Sequence, residues 1–232
     1  MKNIFILTGA GISAESGLRT FRDADGLWEG HKVEEVATPG AFAVDPELVH
    51  HFYNMRRQQL ATVEPNAAHK ALAKLQKCPD SHLTLVTQNV DDLHERAGCH
   101  DVIHMHGELL KKRCASCQQV TVCTNDLTID CACASCSSEG RMRPHIVWFG
   151  EIPLFMDEIQ KKLIEADLFI AIGTSGVVYP AAGFAEVARR HGAKTIEVNL
   201  ADTEQSPLFD EHLMGNASET VPELVASLIL KG

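Results

Sequence analysis

Short apolar runs alternate along the chain with stretches of helical periodicity. The apolar runs lie at residues 3–7, 83–87, 102–105, 168–172 and 195–198, and the helical patterns at 47–62, 67–76, 154–166, 180–191 and 219–230. Strands that alternate with helices are typical of a parallel sheet covered by helices on its faces. The pattern therefore predicts an α/β fold.

The residues after each predicted strand are polar or glycine-rich. They are Thr8 to Gly11, Gln88 to Asp91, His106-Gly107, Gly173 to Ser175, and Asn199. Gly, Asn and Ser are ordinary connector residues. However, ligands of open α/β sheets bind outside the carboxyl ends of the strands. The segments that follow these five strands together supply a glycine turn, an amide, a carboxylate, an imidazole and hydroxyls. We therefore expect a ligand site at this edge.

Each of these residues also has a purely structural interpretation. Asp91 could cap a short helix that begins near Leu93, and His106 could be a hydrogen-bonded surface histidine. His104, two residues earlier on the same strand face, is the better candidate for a structural role.

The first turn resembles a nucleotide-binding turn at its start. Gly9, Gly11 and Ala14 fit the G-x-G-x-x-G/A spacing, which presents backbone N–H groups to a pyrophosphate. Residues 20–45 contain no apolar run, although a dinucleotide-binding unit should continue with a second buried strand. A dinucleotide bound here would be held in an unusual way.

Length and charge restrict the class of protein. The 232 residues suffice for one main domain with insertions. The net charge of −10 disfavours sequence-independent binding to nucleic acid phosphates. The longest apolar stretches run to about six residues, against roughly 18 to 20 for a bilayer span, and no signal-peptide pattern precedes the first strand. We expect a soluble cytoplasmic protein that does not bind membranes.

Six of the eight cysteines fall between positions 114 and 136, which indicates metal binding rather than disulfides. Cys114, Cys117, Cys133 and Cys136 form two C-x2-C pairs separated by 15 residues, the pattern of a closed structural zinc site. Cys131 could replace Cys133, and Cys123 is a further candidate. A zinc ribbon can also bind nucleic acid, but only five basic residues flank this one: Lys111, Lys112, Arg113, Arg141 and Arg143.

The chain resembles the sirtuins, which are NAD-dependent protein lysine deacylases. The motifs that carry the resemblance are GAGISAESGLRTFR, TQNVDDLH, HMHGEL, the C-x2-C pairs, RPHIVWFGE, IAIGTS and EVNL, in the family's order from Ile4 to about Leu228. The family fold implies a Rossmann-like domain over 1–30, 69–108 and 146–232, with helices on both faces of its sheet. A helical insertion over 31–68 and a zinc ribbon over 109–145 would form a smaller lobe.

The resemblance also implies roles for individual residues. His106 is the expected general base, and Asn89 and Asp91 should bind the nicotinamide carboxamide. The expected NAD-binding residues are Gly9, Ala10, Gly11, Ser13, Ala14, Thr20, Phe21, Arg22, Trp28, Gln88, Asn89, Val90, Asp91, Gly173, Thr174, Ser175, Asn199, Leu200 and Ala217. The substrate peptide should contact five residues: Val147, Trp148, Phe149, Gly150 and Val177. The first four should form a strand with which the peptide backbone pairs.

By this resemblance NAD is a consumed co-substrate. The carbonyl oxygen of an acylated lysine would attack C1′ of the nicotinamide ribose and expel nicotinamide. His106 would then activate a ribose hydroxyl, and water would complete cleavage to free lysine and O-acyl-ADP-ribose. Such a reaction requires a dry pocket with positioned dipoles and a base tuned near neutral pH.

The helix predicted over 47–62 bears on the acyl group. Leu48, Phe52 and Met55 form one stripe, which we interpret as a core face. Tyr53 and Arg56 lie three residues apart and share a neighbouring face.

Tyr53 and Arg56 resemble the Y-x-x-R signature of the sirtuin subgroup that removes succinyl and malonyl groups. A guanidinium suits a carboxylate at the end of an acyl chain. Periodicity alone leaves Arg57 equally eligible, and a solvated arginine face is the usual explanation for such a pair. Thr20 also fits the subgroup, whose bacterial members often retain deacetylase activity, so we expect both activities.

Other functions compete with this prediction. Mono-ADP-ribosyl transfer would use the same activated carbon with a different acceptor. An NAD dehydrogenase or a non-enzymatic zinc-ribbon module is less favoured. We expect a monomer that acts on acylated-lysine proteins. The sequence does not identify the targets, the ratio of acyl preferences or the source.

Overall fold

The larger part of the structure is a sheet of six parallel strands. The computed structural model describes residues 2–18, 30–79 and 81–231. Within them the strand order is β3-β2-β1-β7-β8-β9, and every neighbouring pair is parallel. The strands are β1 (Lys2–Thr8), β2 (Ser81–Thr87), β3 (Ile103–His104), β7 (Leu168–Ile172), β8 (Lys194–Asn199) and β9 (Glu211–Met214).

Both faces of this sheet are covered. The α-helices of the described residues are α1 (Gly11–Ala14), α2 (Val33–Val36), α3 (Pro39–Val44), α4 (Pro46–Leu60), α5 (Ala67–Gln76), α6 (Leu93–Arg96), α7 (Met156–Ile164), α8 (Phe184–Arg190) and α9 (Ala217–Lys231). Ile4 and Ile6 of β1 pack into a core that includes α5 and α9. Phe5 and Leu7, on the opposite face, pack with residues of α7 and α8. Because side chains alternate across a strand, an apolar run such as IFIL must be buried on both sides.

A smaller lobe stands beside the sheet. It contains α2 to α4 and an antiparallel sheet in the order β5-β4-β6, built from β4 (Gly107–Cys114), β5 (Val120–Val122) and β6 (Met142–Ile146). Phe52 and Tyr53 of α4 share a core with Leu109 and Trp148. Asn54 pairs with the backbone of Leu127 in both directions, at 3.0 and 2.9 Å. Helix α4 therefore joins the helical part of the lobe to the cysteine-rich part.

The predicted α/β class, with a separate small antiparallel sheet, is confirmed. Four details differ from the expectations. Strand β9 was not predicted, because EHLM has no apolar run and its residues alternate between half-buried and exposed positions. Helix α7 begins at Met156, later than predicted, and the first turn of the helix predicted from residue 180 is a 3-10 helix, Ala181–Gly183, that leads into α8. Met55 is 46% exposed and does not belong to the core face of α4.

The fourth difference concerns the predicted strand at 147–150. Strand β6 ends at Ile146, and Val147 to Gly150 are not in regular secondary structure. The Val147 N–H instead bonds to the His106 carbonyl at 2.9 Å, and the Phe149 N–H to that of Ala37 at 3.0 Å. This segment therefore bridges the two lobes. Within the described residues, no helix is both long enough and apolar enough to cross a bilayer.

Candidate active site

A cavity of about 660 Å³ lies at the carboxyl ends of the parallel strands, between the sheet and the small lobe. Residues from both parts line it, so that the fold, rather than one motif, creates the site. The predicted site residues that line it are Gly9, Ala10, Ser13, Tyr53, Arg56, Gln88, Asn89, Val90, Asp91, His106, Val147, Trp148, Phe149, Gly150, Thr174, Ser175 and Val177.

Other residues stand differently. Gly11, Ala14, Gly173, Asn199, Leu200 and Ala217 are not among the lining residues of this cavity, and their predicted contacts with NAD stay predictions. Thr20, Phe21, Arg22 and Trp28 lie outside the described residues. Sequence reasoning missed seven lining residues: Leu18, Ala37, Ile146, Glu151, Pro153, Val178 and Tyr179. Six of them are apolar or aromatic, and their types carried no functional signal before the fold brought them together.

A contact between two backbones, here called the floor, supports Gly9, which lines the cavity. The Gly9 N–H bonds to the Ile172 carbonyl and the Gly11 N–H to the Gly173 carbonyl, both at 2.9 Å. A Cβ added to Gly11 would lie 2.6 Å from Gly173 Cα, and one added to Gly173 would lie 2.5 Å from Ile12 N. Gly173 also has a φ of +60°, an angle that residues other than glycine rarely adopt. Positions 11 and 173 therefore require glycine. The pyrophosphate site expected at this turn stays a prediction, because the Gly9 and Gly11 N–H groups already bond to carbonyl oxygens.

A buried polar cluster stands above this floor. The Asn89 side-chain amide donates to the Gly9 carbonyl and to Ser13 Oγ, each at 3.1 Å, and Ser13 Oγ donates to Asp91 Oδ2 at 3.0 Å. Asp91 Oδ1 also accepts, at 3.2 Å, from the N–H of Leu93, the first residue of α6, although the N-cap position itself is occupied by Asp92. Burial raises the pKa of Asp91.

His106 is held in one tautomer. Its Nδ1 lies 3.0 Å from the Gln88 carbonyl oxygen, which can only accept, so Nδ1 carries the hydrogen. The neutral ring therefore keeps Nε2 as the atom that can take a proton. Burial lowers the pKa of His106 and so favours this neutral form at neutral pH.

Both ring nitrogens of His104 face oxygen acceptors. Its ring lies 2.8 Å from Glu95 Oε1 and 3.2 Å from the Asn89 carbonyl oxygen. Burial acts to lower the pKa of His104, but the bond to Glu95 and the charge of that carboxylate raise it overall. Its structural role is thus to hold the backbone of Asn89.

The cysteine cluster matches a zinc site. The Sγ atoms of Cys114, Cys117, Cys133 and Cys136 all lie within 4.8 Å of one another, with 3.7 Å between the members of two pairs. Four thiolates about 2.3 Å from a tetrahedral zinc ion would stand about 3.8 Å apart. The predicted ligand set therefore fits zinc. Cys131 contacts Thr128, and Cys123 bonds to the Asn125 carbonyl, so neither replaces a member of the set.

The structure separates the two arginines of α4. Arg56 lines the cavity, and its guanidinium lies 5.8 Å from the centre of the Phe52 ring. Arg57 is buried elsewhere and donates to Asn54 Oδ1 at 2.5 Å and to the Leu109 carbonyl at 3.4 Å. Tyr53, which also lines the cavity, is fully buried.

Comparison with known proteins decides the family. Residues 9–180 match the model described as the Sir2 family. The chain belongs to this family. An NAD-dependent protein deacylase of Escherichia coli strain K12 is 59% identical over 99% of this chain and 82% of that protein. One of Vibrio parahaemolyticus is 56% identical over 98% of this chain and 95% of its own length.

Solved Sir2 structures share the fold. A Sir2 homologue in complex with NAD is 42% identical, with a TM-score of 0.89 over 98% of this chain and 89% of that chain. Sir2 bound to an acetylated peptide is 29% identical, with a TM-score of 0.81 over 99% of this chain and 92% of that chain. NAD and structural zinc are therefore the cofactors of this Sir2 protein, in agreement with the glycine floor and the cysteine cluster.

The first prediction concerns the floor. Gly173→Ala should lower the free energy of unfolding by about 2 kcal/mol or more and weaken NAD binding, because the new Cβ strains φ and meets backbone atoms. Denaturant unfolding and calorimetric titration with NAD measure both. The control is Gly183→Ala, whose Cβ would have its nearest neighbour at 3.9 Å. Equal behaviour of the two variants would contradict the role of the floor.

The second prediction concerns the metal. The wild-type protein should carry about one equivalent of zinc, which Cys133→Ser should lose and Cys131→Ser should keep, because only Cys133 belongs to the four-sulfur cluster. Metal analysis by mass spectrometry and a thermal melt check this. Retention of zinc by Cys133→Ser, with loss in Cys131→Ser, would reverse the assignment.

The third prediction concerns pH. The acid limb of kcat/KM should have its midpoint below pH 6.5, the ordinary value for histidine, because His106 must be neutral to act as a base and burial lowers its pKa. Nicotinamide release followed between pH 5 and 8 measures it. The limb should persist in His104→Gln, and a midpoint above 6.5 would exclude His106 as the group responsible.

Proposed function

We propose that this chain is an NAD-dependent protein lysine deacylase that removes both acetyl and acidic acyl groups, succinyl and malonyl, from lysine side chains. The observation that carries the proposal is the single cavity in which His106, the Asn89–Asp91–Ser13 cluster and the pair Tyr53 and Arg56 meet. The names of the relatives, which are NAD-dependent protein deacylases, support the same reaction.

The residues of the chain have distinct tasks in this proposal. The Asn89 amide and the Asp91 carboxylate are held by hydrogen bonds to Gly9 and Ser13. They face the nicotinamide end of NAD in this proposal. Fixed dipoles of this kind stabilise charge that develops in a transition state. His106 Nε2 takes the proton of a ribose hydroxyl, while the Gln88 carbonyl holds the ring in the required tautomer.

The acyl group is selected at the other side of the cavity. Arg56 offers two parallel N–H groups that match a carboxylate, and the Tyr53 phenol adds a further donor. Burial raises the pKa of Tyr53, so the phenol stays neutral and does not repel an anion. An acetyl group needs neither residue, which is why both activities are expected in one site.

The remaining parts of the proposal are coarser. The substrates are proteins that carry acylated lysines, and the peptide binds along Val147 to Gly150. The chain acts as a cytoplasmic monomer, with the domain division given above. The four clustered cysteines are thiols rather than disulfides, in keeping with a reducing compartment.

One experiment tests the reaction. The protein is incubated with NAD and matched acetyl- and succinyl-lysine peptides, and nicotinamide and both deacylated products are quantified. Release of nicotinamide together with loss of the acyl mass is expected. A gain of the ADP-ribosyl mass on the peptide would favour the alternative of mono-ADP-ribosyl transfer, and turnover without nicotinamide release would exclude both.

The fourth prediction concerns acyl selection. Arg56→Met should lower kcat/KM for the succinyl peptide by about tenfold or more and for the acetyl peptide by much less, because only the first loses charge-assisted bonds. The matched control is Arg190→Met, which removes a surface arginine paired with Glu186. Equal losses on both substrates for Arg56→Met would refute the assignment.

A further inference from the structure

Arg143, Trp148 and Glu151 form a cluster next to Tyr53. We call Arg143 and Glu151, which hold Trp148, the clamp. The Arg143 guanidinium bonds both oxygens of Glu151, at 2.7 and 2.8 Å, and its central carbon lies 3.4 Å from the centre of the Trp148 ring. Glu151 Oε2 also accepts from the Trp148 backbone N–H at 2.8 Å. Arg143 and Glu151 have no part in the reaction as proposed above, and Trp148 enters it only as one of the residues along which the peptide binds.

The clamp restricts the orientation of the Trp148 indole. A bidentate pair between guanidinium and carboxylate has little freedom of orientation, and a cation stacked on an indole resists rotation of the ring. Trp148 is 2% exposed, and Phe42 packs against it, with 5.3 Å between the ring centres. The indole N–H therefore has one direction available to it.

That direction is toward Tyr53. Trp148 Nε1 lies 3.0 Å from the Tyr53 hydroxyl oxygen. An indole N–H can only donate, so the phenol oxygen accepts this bond, and its own hydrogen must be directed away from the indole. A hydroxyl that accepts one hydrogen bond also donates more strongly to the next partner.

We propose that Trp148, held by Arg143 and Glu151, is a positioning residue for acyl selectivity: its indole N–H orients the Tyr53 hydroxyl so that the phenol donates to the carboxylate of an acidic acyl group. This inference rests on the proposed role of Tyr53 and Arg56. It adds that selectivity depends on a residue whose side chain acts on the acyl carboxylate through the phenol.

The geometry also explains why a tryptophan is needed at this position. Phenylalanine would keep the ring stacked under Arg143 and packed against Phe42, but it has no N–H. The Tyr53 hydroxyl would then lose the bond from the indole N–H. Trp148→Phe thus removes one hydrogen bond and leaves the peptide N–H and carbonyl of residue 148 in place.

The fifth prediction is a double-mutant cycle on the ratio of kcat/KM for matched succinyl and acetyl peptides. Trp148→Phe should lower this ratio about three- to tenfold, the range of one neutral hydrogen bond, although both activities fall to some extent. Tyr53→Phe should lower it at least as much. The double variant should match Tyr53→Phe, because the indole acts only through the hydroxyl.

Two further variants separate this effect from a loss of packing. Phe42→Leu, which disturbs the packing of the indole and removes no hydrogen bond from it, should leave the ratio unchanged. Glu151→Gln, which weakens the clamp and keeps its size, should lower the ratio in the wild-type background and have no effect on it in Tyr53→Phe. Circular dichroism and a thermal melt confirm that each variant is folded, and Glu151→Gln replaces Trp148→Phe if the latter is not.

The possible failures can be told apart. If Tyr53→Phe and Arg56→Met leave the ratio unchanged, the proposed acyl selection is wrong. If they lower it but Trp148→Phe does not, or if Trp148→Phe lowers it further in the Tyr53→Phe background, the selection stands and the positioning role of Trp148 is overturned.

Discussion

The contact between the turn after β1 and the turn after β7 determines the rest of the site. Two backbones meet there at distances that no Cβ could enter, and the Gly9 and Gly11 N–H groups bond to the carbonyls of Ile172 and Gly173. This contact fixes Gly9 and Ser13 relative to the sheet. Asn89 and Asp91, which bond to those residues, then take their places from it. The order runs from backbone packing to polar cluster, and not the reverse.

The sequence could predict the sheet for a simple physical reason. Strands buried on both faces must be apolar throughout, so IFILT and LFIAI are visible without any partner. An edge strand such as EHLM, half-exposed, obeys no such rule, and its pairing with β8 decides its conformation. The strand predicted at 147–150 is wrong for a related reason. The backbone of this segment bonds to the turn at His106 and to Ala37 of the smaller lobe, and not to a neighbouring strand.

The candidate site was predictable where chemistry requires a residue type, and less so where packing does. Glycines, the amide and carboxylate pair, and the imidazole are such types, and the four zinc sulfurs have a spacing that few other functions use. Periodicity could not separate Arg56 from Arg57, because neighbouring residues on a helix differ only by what the rest of the chain brings against them. Here Asn54 and Leu109 take Arg57, and the cavity takes Arg56. Likewise, His104 and His106 stand two residues apart with opposite shifts of pKa, since only His104 meets a carboxylate.

Helix α4 carries two sets of contacts on adjacent residues. Tyr53 and Arg56 line the cavity, whereas Asn54 and Arg57 bond to the backbone of the metal-binding part at Leu127 and Leu109. Because α4 is one helix, a loss of the contacts of Asn54 and Arg57 on one side would also shift Tyr53 and Arg56 on the other. Under the proposed function, loss of the metal would therefore loosen the placement of Tyr53 and Arg56 and blur the choice between a charged and a neutral acyl group.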